Sequence, residues 1–251
     1  GYTSGQGAIP WYNGTRFAKN NDIVVVSINY RLGALGFADL THLGDEFATS
    51  NINGTLDQIA ALQCVQDNIA AFGGDPNRVT IAGESAGGFS VATLMACPSA
   101  NGLFQQAIPQ SGACHHTLPA AAARTATDHF LQTLGHSSPM ELMGVSVDAI
   151  LAAQNATTAH YGRGPGQVNE LGTSVSPFYP VHGNTTLPAA PLDALKAGAS
   201  ASVRVLTGSN KDETTLWSSG QTDQAKVERV AAGYDADHAL ETYGSTRPDA
   251  S

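Results

Sequence analysis

Arg78-Val79-Thr80-Ile81-Ala82-Gly83-Glu84-Ser85-Ala86-Gly87-Gly88 decides how the rest of the chain is read. A short β-branched run enters it, as a buried strand does. Phe89 to Ala96 leave it as a helix. Between the two, Gly83-Glu84-Ser85-Ala86-Gly87 fits Gly-x-Ser-x-Gly. The pattern alone is weak, and its place between strand and helix gives it weight. A sharp strand-to-helix turn forces the serine into strained φ/ψ, and its neighbours two away must be tiny or collide across the turn. The turn aims the Ser85 hydroxyl at the helix N-terminus, where unpaired N–H groups favour a developing oxyanion. Ser85 is the candidate nucleophile and the Ala86 N–H a candidate oxyanion donor. The plain alternative is a Gly-rich turn that packs a helix against a sheet.

Outward from this turn, strands and helices alternate. Residues 23–30, Ile-Val-Val-Val-Ser-Ile-Asn-Tyr, predict a strand buried on both faces of a parallel sheet. Residues 54–72 predict a helix, with Leu56, Ile59, Leu62 or Gln63, Val65 or Gln66, Ile69 and Phe72 at three- and four-residue steps. Gly73-Gly74 ends it in the left-handed conformation that glycine adopts without strain. A second strand covers 78–82. A third covers 104–110, interrupted by Pro109. Residues 119–134 and 146–154 predict helices, 160–191 irregular chain, 203–207 a fourth strand and 223–232 a helix. Residues 1–22 and 31–53 read as loop. Buried strands alternating with helices define an α/β layer architecture with a mostly parallel sheet.

Composition narrows the function. The chain has 251 residues, 42% hydrophobic and 13% charged, which excludes intrinsic disorder. Twelve Lys and Arg stand against 21 Asp and Glu, a net charge of −9 with no basic run. Nucleic acid is not an expected partner, because phosphate neutralisation needs clustered cations. No stretch approaches the ~20 apolar residues of a membrane span. The chain opens on Gly1 without a signal-like segment and ends at Arg247-Pro248-Asp249-Ala250-Ser251 without a closing apolar element. The expectation is a piece of a longer chain. Compartment and oligomeric state are left open.

Longer motifs surround the serine. They are Asp57-Gln58-Ile59-Ala60-Ala61-Leu62, Asn68 to Ile81 (Asn-Ile-Ala-Ala-Phe-Gly-Gly-Asp-Pro-Asn-Arg-Val-Thr-Ile), Gly83 to Gly88, Gly102-Leu103-Phe104 and Gln110-Ser111-Gly112. Asn29-Tyr30-Arg31-Leu32-Gly33 and Gly36-Phe37 belong with them. Together they resemble the type-B carboxylesterases, the group that includes cholinesterases and bacterial para-nitrobenzyl esterases. The resemblance covers most of the chain and is weak between 115 and 175. It implies an α/β-hydrolase fold, here a partial domain over 1–251 holding the central strands. It implies a serine carboxylesterase activity of the parent protein on a small-molecule ester, with no cofactor and no metal.

A serine hydroxyl needs a base to take its proton, and a carboxylate to hold that base. In α/β-hydrolases the chain order is Ser, acid, His. After the strand at 203–207 comes Gly208-Ser209-Asn210-Lys211-Asp212-Glu213, which resembles the family's Gly-x-x-Lys-Asp-Glu. By that match Glu213 is the acid, with Asp212 as its rival. His238 alone follows Glu213 among the eight histidines and lacks the family's glycine-flanked context. The other seven (His42, His115, His116, His129, His136, His160, His182) precede the acid. The base is therefore expected outside this chain, and the chain alone is expected to be inactive. By the same resemblance Gly1 is the last glycine of the oxyanion loop and its N–H the second donor. Ser111 matches a serine that hydrogen-bonds around the triad, and Glu84 a position that lends negative charge. Both count as support around the site; a helix N-terminal carboxylate is the plain reading of Glu84.

Other features carry less. His115-His116 with Cys114 is a pair of the metal-binding kind, but adjacent strand residues face apart and no further ligand sits at suitable spacing. Cys64, Cys97 and Cys114 are odd in number and predict free thiols; Cys64 falls at a helix edge where small buried Cys is common. Four Asn-x-Thr sequons at Asn13, Asn53, Asn155 and Asn184 do not establish secretion in a chain rich in Thr. Trp11, Phe89 and Tyr161 are pocket aromatics by type. The competing function is a catalytically inactive, cholinesterase-like binding module or a dead fragment. An intact Ser85 and Glu213 argue against the module. With strands missing, the isolated chain is expected to expose sheet edge and aggregate.

Overall fold

A computed structural model describes residues 1–136, 138–162, 171, 176–211 and 213. The predicted helix at 223–232, Asp212 and His238 lie outside the described residues.

The elements run in this order. Helices α1 (Thr15–Asn20), α2 (Gly33–Phe37) and α3 (Asn53–Asn68) precede strand β1 (Thr80–Glu84). Helix α4 (Ala86–Ala96), β2 (Gln106–Gln110) and the two-residue β3 (Leu118–Pro119) follow. Helices α5 (Ala120–Leu134), α6 (Pro139–Met143) and α7 (Val147–Tyr161) lead to β4 (Val181–His182), α8 (Pro191–Lys196) and β5 (Arg204–Val205).

The main sheet has the order β1-β2-β5 and is parallel throughout. Its register pairs Thr80 with Gln106 and Glu84 with Gln110. Parallel neighbours need a crossover, and α4 supplies it between β1 and β2, packing on both. A separate parallel pair joins β3 to β4. Pro109 is tolerated because it falls where the β2–β5 ladder is interrupted, between the Ala107–Val205 pair and the Gln110–Gly208 bridge.

Two apolar clusters flank this framework. One gathers Tyr2, Phe37, Leu118, Phe130, Phe178 and Tyr179 around α5 and α7. The other gathers Ile52, Leu62, Ile81, Leu94, Met95 and Phe104 beneath α4 and the sheet. Burial of such side chains contributes about 1.5–3 kcal/mol each, so these clusters hold the site's supports in place.

Several expectations need correction. Residues 23–30 form no strand among the described residues, and Ile23, Val24, Val25 and Val26 are 49, 43, 43 and 51% exposed. Their β-branched run has the composition of a strand, but burial comes from paired neighbours, and no described segment pairs with it. Its far end is anchored: the Arg31 side chain forks onto Asp57 of α3 at 2.7 and 2.8 Å, and the Arg31 backbone N–H donates to the same carboxylate at 2.9 Å. The helix predicted over 54–72 is α-helical to Asn68, then tightens to a 3₁₀ turn over Ile69–Phe72. Gly73 ends it at φ +83°. Helix α7 runs to Tyr161 rather than ending at 154. Thr157, beyond the predicted end, is buried, and its hydroxyl donates back to the Ala153 carbonyl at 2.9 Å. The stretch 160–191 is not wholly irregular, since it holds the end of α7 and β4. Two stretches read as loop carry the short helices α1 and α2. All three cysteines are free; Cys64 is exposed rather than buried. Burial pushes the Cys97 thiol up to about 12, which makes it inert. No helix of the described residues is long and apolar enough to cross a membrane.

Candidate active site

The site is built at the carboxyl ends of β1, β2 and β5. Strand β1 ends at Glu84 and α4 begins at Ala86, so one residue makes the whole turn. That residue, Ser85, has φ 54° and ψ −117°, a conformation that costs a non-glycine residue of order 1–3 kcal/mol. A serine before a helix normally turns its hydroxyl onto the helix N–H groups. Ser85 makes no such side-chain cap, so its hydroxyl is not spent on the helix. The Ala86 N–H, at the first position of α4, belongs to the donors that a helix leaves unpaired.

The strain is held by the backbone around it. The Ser85 N–H donates to the Gln110 carbonyl at 2.9 Å, and its carbonyl accepts from the Phe89 N–H at 3.0 Å. A Cβ on Gly83 would lie 2.3 Å from the Gly87 carbonyl carbon, and one on Gly112 would lie 2.4 Å from the Ser85 oxygen. Glycine at 83 and 112 is therefore a condition of closing the turn. Gly87 is different: a Cβ there would meet nothing within 4 Å. The symmetric steric requirement read from Gly-x-Ser-x-Gly holds on the strand side alone.

The exit of β2 links Ser85 to Glu213. Gln110 holds Ser85, and the next residue, Ser111, donates its N–H to the Gly208 carbonyl at 2.8 Å. Ser111 also has positive φ, 48°. Its side chain stands by the Glu213 carboxylate, and the Asn210 N–H donates to Glu213 Oε1 at 2.7 Å. These two contacts, the Ser111 hydroxyl first, hold the Glu213 carboxyl below the ordinary glutamate range and keep it charged. Gln110, Ser111 and Gly112 thus carry Ser85 on one side and the Glu213 loop on the other.

Gly1 lies within electrostatic reach of Glu84. The Gly1 carbonyl accepts from the Tyr30 hydroxyl at 2.9 Å, and the Tyr2 carbonyl from the Gly33 N–H at 2.7 Å. Glu84 is exposed beside the serine.

Among the aromatic candidates, Phe89 adjoins the turn, Trp11 is exposed and Tyr161 is buried beside α5. His115 and His116 do not point apart as strand residues would. Their ring centroids are 4.6 Å from one another, and both rings pack on Phe89. Burial, with His115 adding to it, pushes the His116 pKa down to about 4. Among the described residues no group of three His, Cys, Asp or Glu stands close enough to hold a metal ion. A surface cavity of about 370 Å³, lined by His42, Asp128, Leu131, Gln132, Gly135 and His136, shares no residue with the serine turn. Sequence reasoning missed the Asn210 N–H on Glu213 and the packing partners of His116. Neither has a local signature, since both arise where distant segments meet.

A strained serine between a parallel strand and a helix, with a carboxylate on the loop after a later strand, is the arrangement of an α/β-hydrolase. The comparisons agree in fold and family. The carboxylesterase family profile matches residues 1–245, and the chain belongs to that family. It is 38% identical to the para-nitrobenzyl esterase of Bacillus subtilis (strain 168) over 231 residues, 91% of this chain and 45% of that protein. It is 34% identical to the phenmedipham hydrolase of Pseudarthrobacter oxydans over 251 residues, 97% of this chain and 47% of that one. A solved PNB esterase structure superposes with a TM-score of 0.80 at 35% identity, over 98% of this chain and 52% of its own. The chain spans about half the length of the curated relatives it matches.

Proposed function

We propose that this chain carries the nucleophile and the acid of a serine carboxylic-ester hydrolase. The observation that carries the reading is Ser85 at φ 54° on the N-terminus of α4, its hydroxyl free of any capping bond. In this mechanism a histidine outside this chain takes the Ser85 proton as Oγ attacks the ester carbonyl. The tetrahedral oxyanion is held by the Ala86 and Gly1 N–H groups. The alcohol leaves with the proton from the histidine, and water hydrolyses the acyl-serine by the same route in reverse. Glu213 holds the histidine in the right tautomer and stabilises its cation. Ser111 keeps Glu213 charged and aimed, and Glu84 adds negative charge beside the serine. The substrate is a small-molecule ester; no cofactor, metal or nucleic acid enters the scheme.

The test is steady-state and burst kinetics on p-nitrophenyl acetate with the native protein. A burst of one nitrophenolate per chain is expected from acyl-enzyme formation. Ser85→Ala lowers kcat by about 10⁶-fold and Glu213→Gln by about 10⁴-fold, the scale of losses for nucleophile and acid in serine hydrolases. A Ser85→Ala protein that keeps its rate overturns the reading. In this scheme the base comes from outside the 251 residues, so these alone are expected to show no burst.

A further inference from the structure

Four rings from four segments stand in one line. Phe89, in the first turn of α4, stacks on His116 with centroids 3.7 Å apart and planes 17° off parallel. His116 meets Tyr179 edge-on at 5.1 Å. Tyr179 meets Tyr2 edge-on at 5.3 Å. Phe89 is four residues from Ser85 and donates its N–H to the Ser85 carbonyl, so its ring moves with the serine turn. Tyr2 is bonded to Gly1. The line therefore begins at the helix that presents the Ala86 N–H and ends at the residue that carries Gly1.

From this we infer that His116 is a positioning residue: its ring face, clamped between Phe89 and Tyr179, sets the spacing between the Ala86 and Gly1 oxyanion donors. The inference rests on the serine-hydrolase reading above. Three observations favour the ring over the imidazole's acid–base chemistry. Its Nδ1 is buried and has no hydrogen-bond partner among the described residues. Desolvation keeps the ring neutral at ordinary pH. The ring lies face to face on Phe89 and edge-on to Tyr179, so both of its contacts are aromatic, the edge-on one in a preferred arrangement. Tyr2 is held from the other side as well, where its hydroxyl accepts from Ser90 of α4 at 3.3 Å. Adjacent residues near the start of α4 thus reach Tyr2 by two routes, Ser90 directly and Phe89 through the ladder.

The experiment compares His116→Phe, His116→Leu and Phe89→Leu in the native protein, reading kcat and KM on p-nitrophenyl acetate. It also reads inhibition by an aryl trifluoromethyl ketone, which places an oxyanion on its adduct with the serine. His116→Phe keeps the ring and holds kcat within about twofold, whereas His116→Leu loses about tenfold in kcat and in ketone affinity with KM little changed, as slight misplacement of catalytic groups does. Phe89→Leu removes the first rung at a half-buried position and gives the same split, so the proposal stays testable if His116→Leu does not fold. If His116→Phe is as impaired as His116→Leu, the imidazole itself matters and the ladder account fails. If both leucine variants match the wild type, it fails as well. An active Ser85→Ala control overturns the serine reading instead, which separates the two failures.

Discussion

Two β-branched runs of this chain look alike on paper, yet among the described residues only one of them is paired and buries a large side chain. Thr80-Ile81-Ala82-Gly83-Glu84 is a strand, paired in register with β2; α4 packs on it and Ile81 is buried, while Thr80, Ala82 and Glu84 are exposed, which corrects the reading of a strand buried throughout. Ile23-Val24-Val25-Val26 is the more apolar of the two, yet its side chains stand 43–51% exposed. Composition sets the propensity to extend, while burial is a collective property of neighbours in the sheet. Strand β1 has such neighbours because Gln106–Gln110 returns beside it after α4. The run at 23–26 has an anchor at one end, the Arg31–Asp57 fork, and no paired strand among the described residues. The fork is half-exposed, but its bidentate geometry sets it apart from ordinary surface ion pairs, which contribute little. An exposed β-branched run is also a surface on which other chains can pair.

The contrast can be broken by experiment. Ile81→Ala should destabilise the native protein by about 2–5 kcal/mol, the range for removing a buried large aliphatic side chain, read as a loss in the denaturant midpoint at constant m. A loss below about 0.5 kcal/mol would mean that Ile81 is not the buried core side chain described here. The second effect concerns the acid. Glu213 has a depressed pKa, so the contribution of its charged form is present above its unfolded-state value and is lost as pH falls through the folded value. Ser111→Ala removes the first cause of the depression. The Glu213 carboxyl titration, followed by NMR, should then move up toward the ordinary glutamate value, and an unmoved titration would remove Ser111 from the acid's support. The smallest effect is at the exposed run. If Val25 is as exposed in the native protein as in this chain, Val25→Thr changes stability by no more than about 0.5 kcal/mol. A loss several times larger would show that another segment of the native protein covers residues 23–26. The isolated chain offers a matching test: light scattering should find it aggregated, and a monomeric, cooperative melt would contradict that.

Much of the site was legible in the sequence because its requirements are local. A Cβ on Gly83 would lie 2.3 Å from the Gly87 carbonyl carbon, four residues along the chain, so no other residue fits there. Strand, turn and helix are consecutive, so the strain at Ser85 follows from sequence order. Gly73 marks its helix end for the same reason, as a single residue at positive φ. What escaped is non-local. The exposure of 23–26 depends on which strands stand beside it. The length of α7 depends on a buried Thr157 that satisfies its own hydroxyl. The ladder from Phe89 to Tyr2 joins residues up to 177 positions apart, from Tyr2 to Tyr179, and no spacing rule announces it. Even within the motif, the steric reading of Gly87 failed, because the chain on that side of the turn leaves open space.

The central claim is that Ser85 is an activated nucleophile. The most direct measurement treats the native protein with a fluorophosphonate, takes an intact mass and maps the adduct by peptide sequencing. The account predicts one phosphonyl group, on Ser85, absent from Ser85→Ala. A native protein that stays unlabelled, or that is labelled on another residue, would contradict it.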